Sequence, residues 1–396
     1  MNTEHYRELL FMTPLRVVAI VLLVLVLGGV PVRDAFSIET ASRSAILVDM
    51  TTGTVLMEKN ADEPMPTASM SKIMTTYMLF EALKEGRLKL DDLLPVSENA
   101  WRKGGAPSGG SAMFLDINSE ASVEELLRGI VVQSGNDASI AIAEGLAGSE
   151  EAFAEQMTRR AHELGMERSH FRNATGWPHP GHVSTARDLA LLAKLTIGNF
   201  PEYYHYYSET EYTYNGIRQG NRNPLLYADM GVDGLKTGHT EEAGYGLTAS
   251  ATMGDRRLIL VIAGLSDAKE RAEEAKKLMS WGFREFDNYT LLAANEPAAT
   301  AAVWLGEADS VALIPGKDAV VTLPKSVRPD VVVKVRYEGP IPAPIEKGQR
   351  LGTLVVEAPG TPTIELPLFA GERVEQLGMF GRVGAMLRHI VMSQIN

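Results

Sequence analysis

The sequence predicts an α+β fold: an antiparallel sheet flanked by helices, then a small all-β sandwich domain, then a C-terminal amphipathic helix. Three patterns predict it. Strand-like runs near residue 45 return after residue 210, with helical three- and four-residue spacing between them. Beyond residue 287 the chain shows short alternating apolar runs separated by Gly and Pro. From Met379 it carries no acid, and Phe380, Val383, Leu387, Ile390 and Val391 fall at helical spacing. At 396 residues the chain exceeds one comfortable core, so more than one domain is expected.

Taken in order, the chain begins with Arg7 and Arg16 ahead of an almost unbroken apolar run over residues 17–32. A run of about 15 residues suits the core of an export signal and is short for a spanning helix, which needs about 20. Residues 1–35 are therefore expected to be an export leader, with Ala35 the best candidate for its last residue. Residues 45–50 and 55–57 read as a hairpin turned at Gly53. From Ser69 to Lys84 the apolar residues Met70, Ile73, Met74, Tyr77, Met78 and Leu83 predict a helix stopped by Gly86. Residues 101–112 read as a Gly- and Ser-rich loop, without the Gly-Lys-Ser/Thr of a phosphate loop.

Helices are expected around 122–132, 138–147, 150–164 and 185–195. Strands follow at 210–214, 235–237, 245–252 and 257–265, and a helix at 270–286 closes a first domain over 37–286. Strands at both ends with helices between them suggest one sheet assembled from the two ends of that domain. Residues 287–302 read as a connector and 303–370 as the β domain, with strands at 331–337, 351–356 and 364–369. Residues 371–396 read as a helix whose basic polar face favours a membrane surface, with docking on the β domain as the competing reading.

A formal charge of −12 argues against a nucleic-acid partner, and the absence of Cys removes disulfides and thiolate metal sites. His179 and His182 flank a Pro-Gly loop with no carboxylate cluster nearby, so no metal or cofactor is expected. The four Trp read as packing residues. Tyr203, Tyr204, Tyr206 and Tyr207 form one dense cluster to which the sequence assigns no role.

Three short motifs carry chemistry. In Ser69-Met-Ser-Lys72 the first and last side chains lie one turn apart, so a lysine amine can meet a serine hydroxyl. Serine is a weak nucleophile without such a base, and lysine serves as one only when burial or another cation lowers its pKa. A helix start would also turn free N–H groups toward an oxyanion. Alone the motif decides little, because Ser266-Asp-Ala-Lys269 repeats it. Ser134-Gly-Asn136 falls between two helices, where it either caps the second or presents both side chains to a cleft. Lys236-Thr-Gly238 falls on a strand, where a solvated edge lysine is the plain reading. There, too, a glycine lets a substrate backbone approach the strand closely. Together, and in this order, the three suggest one site in which Lys236 is the second cation acting on Lys72.

At this point the chain resembles the serine penicillin-binding proteins, and most closely the low-molecular-mass D-alanyl-D-alanine carboxypeptidases. The likeness rests on residues 66–72, 133–137 and 232–240 and extends over roughly 40–390. It implies a β-lactamase/transpeptidase-like first domain. It also implies that Ser69 is acylated while Lys72 takes its proton, and that Ser134 and Asn136 relay protons and hold the substrate amide. Lys236 and Thr237 would engage the terminal carboxylate beside Gly238, with Arg271 as a further carboxylate ligand. Backbone N–H groups of Ser69 and His239 would form the oxyanion hole. The implied partners are peptidoglycan stem peptides, β-lactams as covalent inhibitors, and a membrane surface at the periplasmic face of the bacterial inner membrane. A transpeptidase or endopeptidase would share the motifs, and an inactive scaffold would share the fold. A true β-lactamase is disfavoured, since no Glu-x-x-Leu-Asn lies between Asn136 and Lys236.

Overall fold

A computed structural model describes residues 38–381 and 383. The expected leader, 1–35, lies outside the described residues, as does the expected terminal helix, 371–396, beyond Val383. Within that range residues 371–378 are not helical, because Val374 and Gln376 bridge to Ile345 and Gly306 of the β domain. Among the described residues no helix is long and apolar enough to cross a membrane.

The first domain opens with β1 (Ser44–Asp49) and β2 (Val55–Lys59), joined through Gly53 at φ +76. A 3-10 turn, Ala68–Ser71, leads into α1 (Lys72–Lys84). Ser69 therefore sits one short turn ahead of the α-helix expected to begin with it. The strands β3 (Leu93–Pro95) and β4 (Glu120–Ser122) pair, and four helices follow: α2 (Val123–Val131), α3 (Asn136–Ala147), α4 (Glu150–Glu163) and α5 (Ala186–Asn199). Ser122 and Glu125 close a capping box at the start of α2, a device contributing about 1 kcal/mol. The hairpin β5 (Glu211–Tyr214) and β6 (Ile217–Gly220) precedes the long strands β7 (Val232–Thr240), β8 (Gly244–Met253) and β9 (Arg256–Leu265). Helix α6 (Ala268–Glu285) ends the domain.

The main sheet has the antiparallel order β2-β1-β9-β8-β7. Ser44 stands opposite Ala263 and Asp49 opposite Leu258, so the two ends of the domain share a sheet as expected. Almost every residue of β9 is buried, which requires cover on both faces; α5 and α6 both pack against it. Helix α1 is buried nearly all round, with Ile73, Met74, Tyr77, Leu79 and Phe80 at its heart, so it is the central helix of the domain. The tyrosine cluster is part of this packing. Tyr203 stacks on Phe80, Tyr207 hydrogen-bonds Thr76, Tyr204 donates to Asp233 and Tyr206 donates to Glu124.

The β domain begins where α6 ends. Strand β10 (Phe286–Leu292) pairs with β13 (Ala319–Pro324), and six strands form a second sheet in the order β14-β16-β17-β12-β11-β15. These are β11 (Ala299–Trp304), β12 (Ser310–Pro315), β14 (Val332–Tyr337), β15 (Ile341–Pro342), β16 (Arg350–Glu357) and β17 (Ile364–Ala370). The expected connector, 287–302, is thus mostly strand. Its Ala-rich composition hid two ladders that become visible only once β13 and β12 are placed opposite. A buried polar network joins the domains. Asp49 Oδ2 accepts from Arg256 Nε and Nη2, each at 3.2 Å, while Arg256 Nη1 donates to the Phe286 carbonyl at 2.6 Å. Asn288 Nδ2 donates to Asp49 Oδ1, and Thr322 Oγ1 donates to Asn288 Oδ1.

Candidate active site

The three motifs converge. The turn Ala68–Ser71 places Ser69 at the head of the central helix, and Lys72 Nζ lies 2.9 Å from Ser69 Oγ. The same Nζ donates to Asn136 Oδ1 at 2.7 Å and to the Thr175 carbonyl at 2.6 Å. Lys72 is fully buried, and burial lowers its pKa to about 7, helped by the nearby Arg222. Sequence reasoning made Lys236 the cation acting on Lys72; the two lysines do repel each other, and Arg222, far from every motif, is a further cation that bears on Lys72. Lys236 is itself buried and held well below its ordinary value, by burial first and then by Lys72, Arg222 and Arg271.

The turn carrying Ser134 and Asn136 is built with some strain. Ser134 adopts φ +59, a left-handed conformation uncommon for a residue with a Cβ, and its buried Oγ makes no hydrogen bond within the protein. Asp137 holds the turn in place: its carboxylate accepts from the backbone N–H groups of Met113, Leu115 and Ala138. Asn136 N donates to the Ser111 carbonyl, tying the Gly-rich loop to the motif.

Strand β7 lies against the Ser69 turn because residue 238 is glycine. A Cβ there would stand 2.7 Å from the Thr67 carbonyl oxygen. The protein's own turn occupies that side of the strand, and Gly238 also lines a cleft shared with Ser69. Gly176, at φ +78, plays the matching part on the other side, where a Cβ would stand 1.8 Å from the Ala68 carbonyl oxygen.

Two clefts meet at Ser69. One, of about 440 Å³, is lined by Ser69, Ser134, Thr237, His239, Arg222 and Arg271, with Ser111, Gly238 and Tyr245 completing its wall. It presents cations and hydroxyls and no carboxylate, in a chain of net negative charge. Arg271 is buried over the Tyr245 ring, and its Nε has no hydrogen-bond partner within the protein. The second cleft, of about 260 Å³, runs from Ser69 past Asn136, Thr175 and Trp177. Trp177, expected to pack inside, is 49% exposed on that wall.

All nine residues singled out from the sequence therefore gather in one region. Sequence reasoning missed Ser111, Thr175, Trp177, Arg222 and Tyr245. Only the cationic character of Arg222 and the exposed-loop context of Trp177 offered any signal. The duplicate motif separates cleanly: Ser266 Oγ donates to Glu270, Lys269 pairs with Glu273, and Asp267 caps α6 at the surface. His182 is buried rather than arranged with His179 around a metal, and hydrogen-bonds Ser71.

Comparison with known proteins identifies the family of the chain. Residues 32–267 match the family model for D-alanyl-D-alanine carboxypeptidase, and 286–376 match the C-terminal domain of penicillin-binding protein 5. The D-alanyl-D-alanine carboxypeptidase DacC of Escherichia coli is 43% identical over 86% of each chain. Penicillin-binding protein 5 from Haemophilus influenzae superposes with a TM-score of 0.80 at 35% identity, covering 88% of this chain and all of that one. Penicillin-binding protein D2 from Listeria monocytogenes, solved in a cefotaxime-bound form, matches with a TM-score of 0.54 at 31% identity. That match covers 62% of this chain and 99% of its own. A Ser-Lys pair in a cationic cleft, a second all-β domain and full-length relatives all lead to one place: the chain belongs to the D-alanyl-D-alanine carboxypeptidase family of low-molecular-mass penicillin-binding proteins.

Proposed function

We propose that this protein removes the terminal D-alanine of peptidoglycan stem peptides through an acyl-enzyme on Ser69, with Lys72 as general base. The observation that carries the assignment is the set of partners around Lys72 Nζ. Asn136 Oδ1 and the Thr175 carbonyl can only accept, so they take the two N–H bonds of a neutral amine. The remaining lone pair then faces Ser69 Oγ, and a pKa of about 7 leaves much of the amine neutral near pH 7.

In this reading the terminal carboxylate of the peptide enters the larger cleft and meets Thr237, Lys236 and Arg271. Ser69 Oγ forms a bond to the carbonyl carbon of the penultimate D-alanine while its proton passes to Lys72 Nζ. The backbone N–H groups of Ser69 and His239 take the oxyanion. The C–N bond then breaks, and the departing amine receives a proton delivered through Ser134 Oγ. Asn136 holds the substrate amide, and the upstream peptide occupies the cleft beside Trp177. Water attacks the ester next, Lys72 accepts its proton, and Ser69 leaves as the alcohol. A β-lactam would acylate the same oxygen. Its amine stays tethered to the acyl group, so the adduct keeps the whole mass of the drug.

The test is the intact mass of the full-length protein after benzylpenicillin, together with D-alanine release from a diacetyl-Lys-D-Ala-D-Ala peptide. A single adduct mapped to Ser69, with D-alanine released, is expected. An adduct without release would point to another acyl acceptor or a scaffold, and neither signal in folded protein would refute the assignment. The acylation rate should rise with pH through an apparent pKa near 7, falling about tenfold per unit below it as Lys72 becomes protonated.

The same proposal places the protein outside the cytoplasm, at the periplasmic face of the inner membrane. The apolar run at 17–32 and the acid-free tail carrying Arg382 and Arg388 support this, and Phe380 at the start of that tail is 88% exposed. Deleting residues 379–396 should release the protein from vesicles containing anionic lipid without changing turnover of a small soluble peptide. Vesicle binding that survives the deletion would refute the surface-helix reading.

A further inference from the structure

His182 is a buried histidine that the reaction scheme leaves unused, and its surroundings are specific. It is buried, with its ring edge-to-face against Phe171. The Arg172 backbone N–H donates to Nδ1 at 3.1 Å, which fixes the proton of the neutral ring on Nε2. Nε2 stands 2.7 Å from Ser71 Oγ, so it donates there. Ser71 Oγ in turn lies 2.5 Å from Thr67 Oγ1. Burial and the neighbouring cations push the imidazole down to about 4, so the neutral tautomer persists across the working pH range.

This chain connects two pieces of backbone that must stay in register. Thr67 and Ser71 bracket the 3-10 turn that presents Ser69. Arg172 opens the segment whose Thr175 carbonyl receives Lys72 Nζ, and whose Gly176 packs on the Ala68 carbonyl. We infer that His182 is a positioning residue for acylation: it holds the Ser69 turn and the 172–176 segment together, setting the geometry between the nucleophile and its base. The inference rests on the assignment of Ser69 and Lys72 above. It goes beyond that assignment because His182 touches neither reacting atom. A polar chain of this kind suits the task better than apolar packing, because its bonds fix direction as well as distance. Small displacements between reacting groups cost rate steeply, by about 10²-fold per ångström in unfavourable cases.

The experiment resolves the noncovalent constant K and the first-order constant k2 for acylation of the full-length protein by benzylpenicillin. Samples are quenched and read by intact mass. His182→Ala is expected to lower k2 about tenfold while K stays within about twofold. His182→Gln, whose amide N–H can reach Ser71, should recover k2 to within about threefold of the unsubstituted protein. Ser71→Ala keeps the imidazole and removes only its acceptor, so it should reproduce the loss. Combined with His182→Ala it should add nothing further, as expected for two members of one chain. A k2 unchanged in His182→Ala, or equal losses in the Ala and Gln variants, would overturn the inference. Where His182→Ala does not fold, Ser71→Ala decides alone: a tenfold fall supports the positioning role and an unchanged k2 removes it. Absence of any Ser69 adduct in the unsubstituted protein would instead strike the nucleophile assignment, which keeps the two failures distinct.

Discussion

Replacing Ser69 with alanine should abolish benzylpenicillin acylation and lower D-alanine release by about 10⁴-fold or more. The reason is chemical rather than structural. No second hydroxyl occupies the point facing Lys72 Nζ: Asn136 Oδ1 and the Thr175 carbonyl are its other partners, and neither is a nucleophile. Ser134 Oγ and Ser111 line the same cleft, and neither is hydrogen-bonded to the base. The fold should be preserved, because the Ser69 side chain makes only the Lys72 contact and Lys72 keeps its two carbonyl partners. Lys72→Ala should fall nearly as far in activity, since a serine without its base loses most of its reactivity. The measurement is a time course of adduct mass and free D-alanine at matched concentrations of folded protein. Residual turnover within tenfold of the parent would end the case for Ser69.

The second large effect is on stability. Asp49→Ala should destabilise the protein by about 3–5 kcal/mol, because it leaves Arg256 buried without its countercharge. The carboxylate also accepts from the backbone N–H groups of Thr51 and Thr52 and from Asn288, so several donors lose their partner together. Arg256 would keep only the Phe286 carbonyl and the face of the Phe283 ring. The melting temperature should fall on the order of 10 °C. Limited proteolysis should begin near 286–298, where β10 and the following loop lean on this network. Removing both charges with well-packed apolar residues should restore much of the loss, since the cost lies in the orphaned charge. A melting temperature within a degree of the parent would show that the network is ornamental to stability.

Much of this molecule was legible in its sequence, for identifiable reasons. The hairpin at 44–59, the central helix and strands β8 and β9 carry dense local patterns. The Ser-Gly-Asn turn between two helices is equally local. Order along the chain was enough to bring Ser69, Ser134 and Lys236 into one site. What stayed hidden was set by partners far along the chain. Strands β10 and β11 have weak intrinsic signals and acquire their conformation from β13 and β12. Arg222 lies in a loop with no motif, and its influence on Lys72 depends on how β6 and the loop after it fold back over the cleft. The packing of Gly238 on the Ser69 turn stayed hidden because sequence shows that a side chain is missing and not which atom fills the space.

Strand β1 completes the main sheet only when it pairs with β9, so Ser44 waits for Ala263. The hairpin β1–β2 can pair locally, but it cannot join the rest of the sheet while the intervening helices are still being made. The central strand β9 is the last of the five along the chain, so the two hairpins that flank it are joined only when it arrives. Contacts of such long sequence separation slow folding, because loop closure precedes any reward from pairing. For a protein proposed to act outside the cytoplasm, late closure of the sheet bears on when the site can assemble. Under that proposal, closure of the sheet would wait until residues 256–265 have followed the rest of the domain.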